Sequence, residues 1–279
     1  MRVGLLHPGE MGAAIGDLLC DRGHDVGWAS EGRSAASRDR ATRFTDVGTV
    51  DALARGSDLL LSVCPPDAAR SVAGRVAAAG YTGVFVDANA VSPVTARAVG
   101  RIVTDGGAGF IDGGIVGGPP AHGATSRTCL YLSGDGADDV ANLFRESPLE
   151  TVVIDGPPGA ASALKVCYAA YTKGTTALLL AIRALADAEG VDDALLDEWA
   201  TSQPDLVDRS ERSPRTSARK AWRFAGEMDE IADALADAGV PDGFHRAAAE
   251  VYRRLVRFKD TPRPPELDEL VTELRRPRD

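Results

Sequence analysis

Short apolar runs alternate with longer amphipathic stretches over the first 155 residues of the chain. The apolar runs are nearly continuous in Val, Leu, Ile and Phe, which is typical of strands buried on both faces of a parallel sheet. We predict seven strands: RVGLL (2–6), DVGWA (25–29), DLLLSV (58–63), GVFVDA (83–88), GFIDGG (109–114), TCLYLS (128–133) and TVVID (151–155). The stretches GAAIGDLLCDRG, DAARSVAGRVAAAG and SPVTARAVGRIV predict intervening helices. This alternation indicates βαβ units.

The strand pattern ends at about residue 159. The segment from Ala160 to Glu189 has no proline and one internal glycine, so it predicts a single helix about 45 Å long that ends at Gly190. The remainder reads as helical, apart from SQPDLVDRSERSPRTSARK (202–220), whose composition predicts a loop or loosely ordered connector. We therefore predict an α/β domain over residues 1–157 and an all-α domain over residues 158–279.

The stretch GLLHPGEMGAAIG (4–16) joins the first predicted strand to the first predicted helix. In a Rossmann βα unit, G-x-G-x-x-G opens a helix whose backbone N–H groups face a pyrophosphate. The corresponding residues here are His7, Pro8, Gly9, Glu10, Met11 and Gly12. His7 replaces the first glycine, but a second strand follows about 20 residues later, and this setting favours dinucleotide binding over an ordinary turn. We predict a Rossmann-like fold for the N-terminal domain.

The segment after the second strand, SEGRSAASRDR (30–40), bears on the choice of dinucleotide. NAD sites usually place an acidic side chain at the ribose 2′-hydroxyl, whereas a 2′-phosphate requires cations. Glu31 could serve as the acidic residue, but three arginines lie nearby: Arg33, Arg38 and Arg40. We predict NADP(H), with Arg33 and Ser34 at the 2′-phosphate and Ser30, at the strand end, as a further cofactor-binding residue. The alternative is an ordinary solvated helix start with surface arginines.

Composition limits the classes of partner and location. The net charge of −10 and the pI near 5.0 argue against nucleic acid or an anionic membrane as the main partner. The four cysteines, Cys20, Cys64, Cys129 and Cys167, have no metal-ligand spacing, so we predict reduced thiols and no metal. Without a signal peptide or a membrane-length apolar run, the sequence predicts a cytoplasmic protein.

Four motifs in order resemble those of the β-hydroxyacid dehydrogenases, which include 3-hydroxyisobutyrate and 6-phosphogluconate dehydrogenases and relatives that reduce imines. The motifs are HPGEMG (7–12), DANAVSP (87–93), DGGIVGG (112–118) and GPPGAASALKVCYAA (156–170). The resemblance covers residues 1 to about 190, and the C-terminal part is similar to a small helical domain that accompanies such Rossmann domains in bacteria. It implies an oxidoreductase that transfers hydride between NADP(H) and a small hydroxy or carbonyl substrate.

The resemblance also implies positions for the ligands. The cofactor would lie across Gly9 to Gly12, with Val63, Cys64, Pro65 and Pro66 beside the nicotinamide ribose. The substrate contacts would be Asn89, Ser92, Gly117, Gly118 and Thr172. Two of these assignments have structural alternatives, because Ser92 before Pro93 is also an ordinary helix cap and the glycines are also turn residues.

Lys165 occupies the position of the family's catalytic lysine. Its neighbours Leu164, Val166 and Cys167 are apolar, and a lysine is rarely buried without a purpose. Desolvation lowers the pKa of an amine toward the range in which it can exchange a proton with a hydroxyl. Tyr168 and Thr172 follow at i+3 and i+7 on the same helix face, and Tyr168 is the second catalytic candidate. A snorkelling side chain is the alternative for Lys165, and we assign that role to Lys173.

The chain departs from the family pattern at three positions, Val116, Tyr168 and Ala169, and the first and last remove polar groups. The predicted cleft is therefore less polar than one built for a small hydroxy acid. Two alternatives remain open: an imine reductase, although that branch usually replaces this lysine, and a catalytically silent NADPH-binding sensor or interaction protein. The long apolar helix over 160–189 further predicts a homodimer, since its own small domain cannot cover both sides.

Overall fold

A computed structural model describes residues 1–123, 127–259 and 261–277. The chain divides into two compact units, Met1–Val166 and Cys167–Asp279. The helix from Ala160 to Ala188 continues through the boundary. In the described part of the chain, no helix is both long enough and apolar enough to cross a membrane.

The first unit contains an eight-stranded sheet with the spatial order β3-β2-β1-β4-β5-β6-β7-β8. Its strands are β1 (Arg2–Leu5), β2 (Asp25–Trp28), β3 (Thr45–Asp46), β4 (Leu59–Ser62), β5 (Val84–Asp87), β6 (Gly109–Val116), β7 (Thr128–Ser133) and β8 (Leu149–Val153). Its helices are α1 (Glu10–Asp21), α2 (Ala35–Arg40), α3 (Val50–Gly56), α4 (Ala69–Ala78), α5 (Pro93–Asp105), α6 (Ala137–Asn142) and the start of α7 (Ala160–Ala188). The predicted fold class, a Rossmann-like α/β region followed by a helical region, is confirmed.

All seven predicted strands form, but two features of the sheet differ from the prediction. β3 is only two exposed residues long and has no apolar run to reveal it. β7 pairs with β6 antiparallel, whereas every other neighbouring pair is parallel. A run buried on both faces looks the same in either direction, so the apolar pattern does not specify strand orientation.

The sheet separates two apolar layers, one on each face. Successive residues of β4 alternate between them: Leu59 and Leu61 join one cluster and Leu60 joins the other. This is the period of two expected for a strand, and burial on both sides explains why these runs contain no polar alternation. The core therefore holds the carboxyl ends of the central strands in a fixed arrangement.

The second unit is helical in its described residues. It contains the rest of α7, then α8 (Asp192–Ser202), α9 (Asp205–Ala218), α10 (Ala221–Asp237), α11 (Gly243–Arg254) and α12 (Leu267–Leu274). The long helix was predicted to end at Gly190, which has a φ of +68° and whose N–H donates to the Asp187 carbonyl at 3.2 Å. A left-handed glycine of this kind commonly ends a helix.

The prediction of a loose connector over residues 202–220 is wrong, because α9 occupies most of it. Ion pairs four residues apart stabilise the helix: Asp208 with Arg212 at 2.7 Å and Glu211 with Arg215 at 2.9 Å. Ser210 is buried, and its hydroxyl accepts a hydrogen bond from Arg183 of α7 at 3.1 Å. Ion pairs and packing within the unit thus stabilise a helix in a segment whose polar composition predicted a loop.

The assignment of Lys173 as a snorkelling residue is also wrong. Its ammonium group forms an ion pair with the buried carboxylate of Glu227 and lies 4.3 Å from the centre of the Phe224 ring. Both partners are on α10, which is distant in sequence, so helix spacing alone could not identify them. The lysine is a structural element of the helical unit.

Candidate active site

The loops that follow β1, β2, β4 and β5 come together at the carboxyl edge of the sheet. The chain reverses its direction across the sheet between β1 and β4, since β2 and β3 lie on one side and β4 and β5 on the other. In open α/β sheets, ligands bind at such a reversal, outside the carboxyl ends of the strands. The predicted residues His7–Gly12, Ser30–Ser34, Val63–Pro66 and Asn89–Ser92 all lie in these loops or in the helix starts that follow.

The two glycines of the first loop have different surroundings. A Cβ atom on Gly12 would lie 2.2 Å from the His7 carbonyl oxygen, so the close approach of α1 to the loop requires glycine there. A Cβ on Gly9 would meet nothing within 4 Å, and Gly9 has an ordinary φ of −69°. Neither backbone conformation nor packing within the chain therefore explains the glycine at position 9.

Other residues of this loop are partly structural. Met11 packs against the apolar core, Pro8 is buried, and Glu10 is the exposed first residue of α1. Gly9 is the N-cap of α1 and supplies no side-chain acceptor, so the first N–H groups of the helix face outward from the sheet edge without a side-chain cap. A helix start of this kind is suited to an anion.

The His7 ring lies in a largely buried, electropositive environment. Burial, with smaller contributions from Arg33 and Arg75, lowers its pKa to about 3. Its Nδ1 atom is buried and has no hydrogen-bond partner in the described part of the chain. The ring is therefore neutral at physiological pH.

The three arginines after β2 turn back toward the loops at this edge. Their guanidinium groups donate to backbone carbonyls: Arg33 to Leu6 at 3.1 Å, Arg38 to Ser30 at 3.1 Å and Arg40 to Pro8 at 3.2 Å. Within residues 1–123, 127–259 and 261–277, none of the three has a carboxylate within 4.0 Å. The edge between β1 and β2 thus carries positive charge, although the charge of Arg38 also helps to lower the pKa of Asp46.

The two serines assigned to the 2′-phosphate also have structural partners. The Ser34 hydroxyl caps α2 and accepts from the Ser37 N–H at 3.3 Å. The Ser30 hydroxyl is bonded to Asp46, and this hydrogen bond is the main cause of the lowered pKa of Asp46. Glu31 is exposed, and its N–H donates to the Gly48 carbonyl at 2.9 Å.

Asn89 joins the loop after β5 to the loop after β4. It is only 2% exposed, and its Oδ1 accepts from the Cys64 N–H at 2.5 Å. Its Nδ2 donates to the Ser62 hydroxyl at 3.1 Å and to the Asp87 carboxylate. These bonds hold the segment Val63–Pro66, which is partly exposed at the edge, and burial raises the pKa of the Cys64 thiol to about 12.

Ser92 and Gly117 have the structural roles that were named as alternatives. The Ser92 hydroxyl caps α5, accepting from the Thr95 N–H at 3.1 Å. Gly117 has a φ of +122°, and a Cβ there would lie 2.6 Å from the Arg127 carbonyl, so the turn requires glycine. Gly118 is exposed with open space around it, and its carbonyl accepts from the Thr128 hydroxyl at 2.7 Å.

Asp87 and Asp112 are opposite each other on β5 and β6, and both are fully buried. Burial is the main cause that raises the pKa of Asp87 well above its usual value, and the nearby Asp112 adds to it. Asp112 accepts hydrogen bonds from the Ser133 hydroxyl, from the N–H groups of Gly159 and Ser162 and from the Ser162 hydroxyl, at 2.5 to 3.0 Å. Asp112 therefore anchors the start of α7 to the sheet.

Lys165 lies in the second turn of α7, beside β6. A Cβ atom on Gly114 would be 2.6 Å from the Ala161 carbonyl and 3.0 Å from the Lys165 Cβ, so this glycine lets the helix approach the strand closely. Lys165 is partly buried. Because Gly114 follows Asp112 toward the carboxyl end of β6, Lys165 is positioned at the same edge of the sheet as the glycine loop.

Tyr168 and Thr172 belong to the second unit, although they lie on the same helix. Tyr168 is 49% exposed, and the Thr172 hydroxyl donates to the Tyr168 carbonyl at 3.1 Å. No group of ligating residues suitable for a metal ion occurs in the described part of the chain.

Two parts of the chain match known protein families. Residues 2–144, which are 143 of the 279 residues, match the NAD binding domain of 6-phosphogluconate dehydrogenase. The chain belongs to this family. Residues 186–255 match a domain of unknown function, DUF1932. The predicted recognition, a β-hydroxyacid dehydrogenase-like protein with a small helical C-terminal domain, is confirmed, and the cofactor is a nicotinamide dinucleotide.

Two individual relatives match most of this dehydrogenase-like chain. An uncharacterized 28.5 kDa protein of Methanothermus fervidus is 28% identical over 200 residues, which are 71% of this chain and 75% of the relative. The solved structure of the conserved protein MTH1747, described as similar to 3-hydroxyacid dehydrogenases, is 26% identical with a TM-score of 0.68 and covers 93% of this chain and 98% of its own.

More distant structures share the fold. Mycobacterium tuberculosis 3-hydroxyisobutyrate dehydrogenase with L-serine has 18% identity and a TM-score of 0.70, and 99% of each chain is covered. Imine reductases share it as well, at lower TM-scores. These structures show that the fold is shared with a 3-hydroxyisobutyrate dehydrogenase and with imine reductases.

Sequence reasoning missed the roles of Asp87, Asp112 and Gly114, although each lies inside a motif that was singled out. A signal was available, because both DANAVSP and DGGIVGG begin with an aspartate that belongs to a buried strand. A buried carboxylate requires a partner, but the donors at the start of α7 are about 50 residues away. Only the fold brings them together.

Proposed function

We propose that this chain is an NADP(H)-dependent oxidoreductase of the β-hydroxyacid dehydrogenase type, acting on a small hydroxy or carbonyl substrate. The observation that carries the proposal is the position of Lys165, which Gly114 allows to lie beside β6 at the same edge as the dinucleotide loop. A lysine there is placed to exchange a proton with a substrate held next to the nicotinamide.

The residues of the first loop fit a dinucleotide. Open space beside Gly9 leaves room for a phosphate, and the uncapped start of α1 supplies N–H donors. The unpartnered atoms His7 Nδ1 and Arg33 Nε are buried at the same edge. The segment Val63–Pro66, fixed by Asn89, would flank the nicotinamide ribose.

The preference for NADP(H) rests on charge. In the described part of the chain, Arg33, Arg38 and Arg40 have no carboxylate within 4.0 Å and donate to carbonyls of the loops after β1 and β2, and a 2′-phosphate requires cations at this position. Glu31 is exposed. We assign the 2′-phosphate contact to Arg33. Ser30 and Ser34 lie on the same loop, on either side of Arg33 in the sequence.

The bound nicotinamide would supply hydride transfer, from the carbon of a substrate alcohol in oxidation or to a carbonyl carbon in reduction. Lys165 takes the hydroxyl proton as a neutral amine during oxidation and returns it from the ammonium form during reduction. Val116 and Ala169 replace polar residues of the family pattern, so we expect a substrate with more apolar surface than a small hydroxy acid. Gly118 is exposed, and its backbone N–H remains the candidate donor to a carboxylate or similar acceptor group of the substrate.

In this proposal, Asn89 and Ser92 hold the loops around the site in position rather than contact the reacting atoms. Their hydrogen bonds are made within the protein, to the loop after β4 and to the first turn of α5 respectively. Tyr168 and Thr172 stay candidates for proton transfer and substrate contact, since they follow Lys165 at i+3 and i+7 on one continuous helix.

Replacement of Lys165 by methionine tests the proposed chemistry. Lys165→Met keeps the aliphatic length but carries no proton, so NADPH affinity should be unchanged while turnover falls by about 10²- to 10⁴-fold, the usual size of a general acid–base contribution. The measurement is NADPH binding by fluorescence beside turnover with the best substrate from a screen of carbonyl and imine compounds.

Lys220→Met is the matched control, because Lys220 is exposed and lies before α10 in the helical unit. It should keep both affinity and turnover. Undiminished turnover in Lys165→Met would show that another residue transfers the proton, and Tyr168 would be the first to test. Binding of NADPH without turnover of any screened compound would favour a sensor, and turnover of imines alone would favour an imine reductase.

A further inference from the structure

Three basic side chains converge at the edge between β1 and β4. His7 follows β1, Arg33 follows β2, and Arg75 is on α4, yet both arginines are close enough to His7 to lower the pKa of its ring. Arg75 also lowers the pKa of Arg33, after the larger effect of burial. In the ranges 1–123, 127–259 and 261–277, neither arginine has a carboxylate within 4.0 Å.

Two polar atoms of this cluster have no hydrogen-bond partner among the described residues. They are His7 Nδ1 and Arg33 Nε, and both are buried. A buried polar atom that is left unpaired costs about 1–3 kcal/mol, so such atoms usually have a partner. Two unpaired atoms in a cluster of cations indicate a ligand that accepts hydrogen bonds and carries negative charge.

The backbone at position 7 does not account for the histidine or require a glycine. Among the described residues other than glycine, only Glu146 has a positive φ, so His7 lies in an ordinary region of backbone conformation. The loop therefore tolerates a side chain where the usual motif has glycine, and that side chain is placed beside Arg33.

We propose that His7 binds a phosphate group of the dinucleotide as an imidazolium, so that the cofactor binds together with a proton. This inference rests on the proposed function, because the dinucleotide must occupy this edge. Arg33 and Arg75 complete the cationic cluster around the phosphate.

The direction of the linkage follows from the charges. In the free protein the pKa of His7 is about 3, so the ring is neutral at and above pH 5. A phosphate among the three groups replaces repulsion between cations by attraction, which raises the pKa of the ring in the complex. Between these two pKa values binding takes up one proton, and affinity rises as the pH falls, by up to about tenfold per pH unit.

The arginines of the cluster stay charged, and burial raises the pKa of the Cys64 thiol, next to Arg33, to about 12. Asp67 and Asp87 act on this thiol, and burial raises the pKa of Asp87; comparison with the His7 variants subtracts any proton that Asp87 takes up. Proton uptake near pH 5.5 that depends on position 7 therefore belongs to His7.

Calorimetry of NADP⁺ and NAD⁺ binding at pH 5.5, in two buffers that differ in ionisation enthalpy, measures this uptake directly. We expect the wild-type protein to take up at least about half a proton more per site than His7→Gly, and the ratio of Kd at pH 7.5 to Kd at pH 5.5 to be at least about twofold larger. The comparison with the variant removes the titration of the 2′-phosphate itself. His7→Asn serves as a second variant, and His24→Asn, at the opposite edge before β2, should behave as the wild type.

The two nucleotides distinguish the phosphates. A difference seen with both places His7 at the pyrophosphate, and a difference seen with NADP⁺ alone places it at the 2′-phosphate; either supports the inference. Equal proton uptake in the wild type and both His7 variants overturns it while leaving the proposed function intact. If neither nucleotide binds the wild-type protein, the proposed function fails as well.

Discussion

Arg33 is the residue on which the proposed cofactor preference depends most. Its guanidinium donates to the Leu6 carbonyl at 3.1 Å and is partly buried, and its Nε has no hydrogen-bond partner among the described residues. In Arg33→Ala we expect the preference for NADPH over NADH to fall by at least about tenfold, or about 1.4 kcal/mol, the scale of one charge-assisted contact. Fluorescence titration with both nucleotides measures the preference.

The control for this change is Arg55→Ala. Arg55 is exposed in the last turn of α3, ahead of β4, and so lies toward the amino edge of the sheet. It should leave both affinities unchanged. Equal affinities for NADPH and NADH in the wild type, or a preference that survives Arg33→Ala, would contradict the assignment.

The glycines of the first loop permit a second test at the scale of single residues. Gly12→Ala places a Cβ 2.2 Å from the His7 carbonyl, so the backbone must shift, and we expect a loss of about 1–3 kcal/mol in the free energy of unfolding. Gly9→Ala meets no protein atom within 4 Å and should cost less than about 1 kcal/mol, yet weaken NADPH binding by at least about tenfold.

Thermal or denaturant unfolding, with NADPH titration on the same samples, separates the two effects. Full NADPH affinity in a folded Gly9→Ala variant would show that the phosphate does not approach this residue. The pair serves as its own control, because the two positions are three residues apart and receive the same side chain.

At the scale of elements, the start of α7 is held by one buried carboxylate. Asp112 accepts hydrogen bonds from Ser133, Gly159 and Ser162, and two of these donors are backbone N–H groups at the beginning of the helix. In Asp112→Ala the donors lose their acceptor inside the protein, so we expect a loss of about 3–5 kcal/mol in the free energy of unfolding. Chemical denaturation monitored by circular dichroism provides the measurement.

Asp105→Ala is the matched control, since Asp105 is the exposed last residue of α5 and should change the stability by less than about 0.5 kcal/mol. A folded Asp112→Ala variant with the stability of the wild type would show that α7 does not depend on this anchor. Because α7 carries Lys165, an Asp112→Ala variant in which the start of α7 is less firmly held should also lose more turnover than NADPH affinity.

At the scale of the whole molecule, the surface of the helical unit bears on assembly. Leu178 and Leu185 on α7 are 41% and 63% exposed. Leu185 lines a groove together with Ala181 and Ala184 of α7 and Val251 of α11. We predict a homodimer that buries α7 and the C-terminal helices over more than about 2,000 Å², the range of obligate interfaces. Light scattering at micromolar concentration should give twice the mass of the chain.

Leu185→Glu places a charge in the predicted interface and should shift the protein to monomers. Val152→Glu is its control, because Val152 on β8 is similarly exposed, at 38%, but belongs to the first unit. A monomeric wild-type protein, or a Leu185→Glu dimer as stable as the wild type, would exclude this interface.

Local sequence signals were sufficient for much of the fold and for the family. The apolar runs specify the positions of seven strands, and a segment free of proline that ends at Gly190 specifies the long helix. The four motifs identify the dehydrogenase family and the nicotinamide dinucleotide, because they lie at fixed places between those elements. Each of these features depends on residues that are close in sequence.

Tertiary structure alone decided the features that depend on distant partners. The sequence does not show that β7 runs antiparallel to β6, that α9 forms in a polar segment, or that Lys173 pairs with Glu227. Asn89 was predicted to contact a substrate, and the fold bonds its amide to Cys64, Ser62 and Asp87, partners that the sequence does not reveal. The physical reason is common to all of them: burial and hydrogen-bond partners are contributed by segments tens of residues away, and only the folded chain brings those segments into contact.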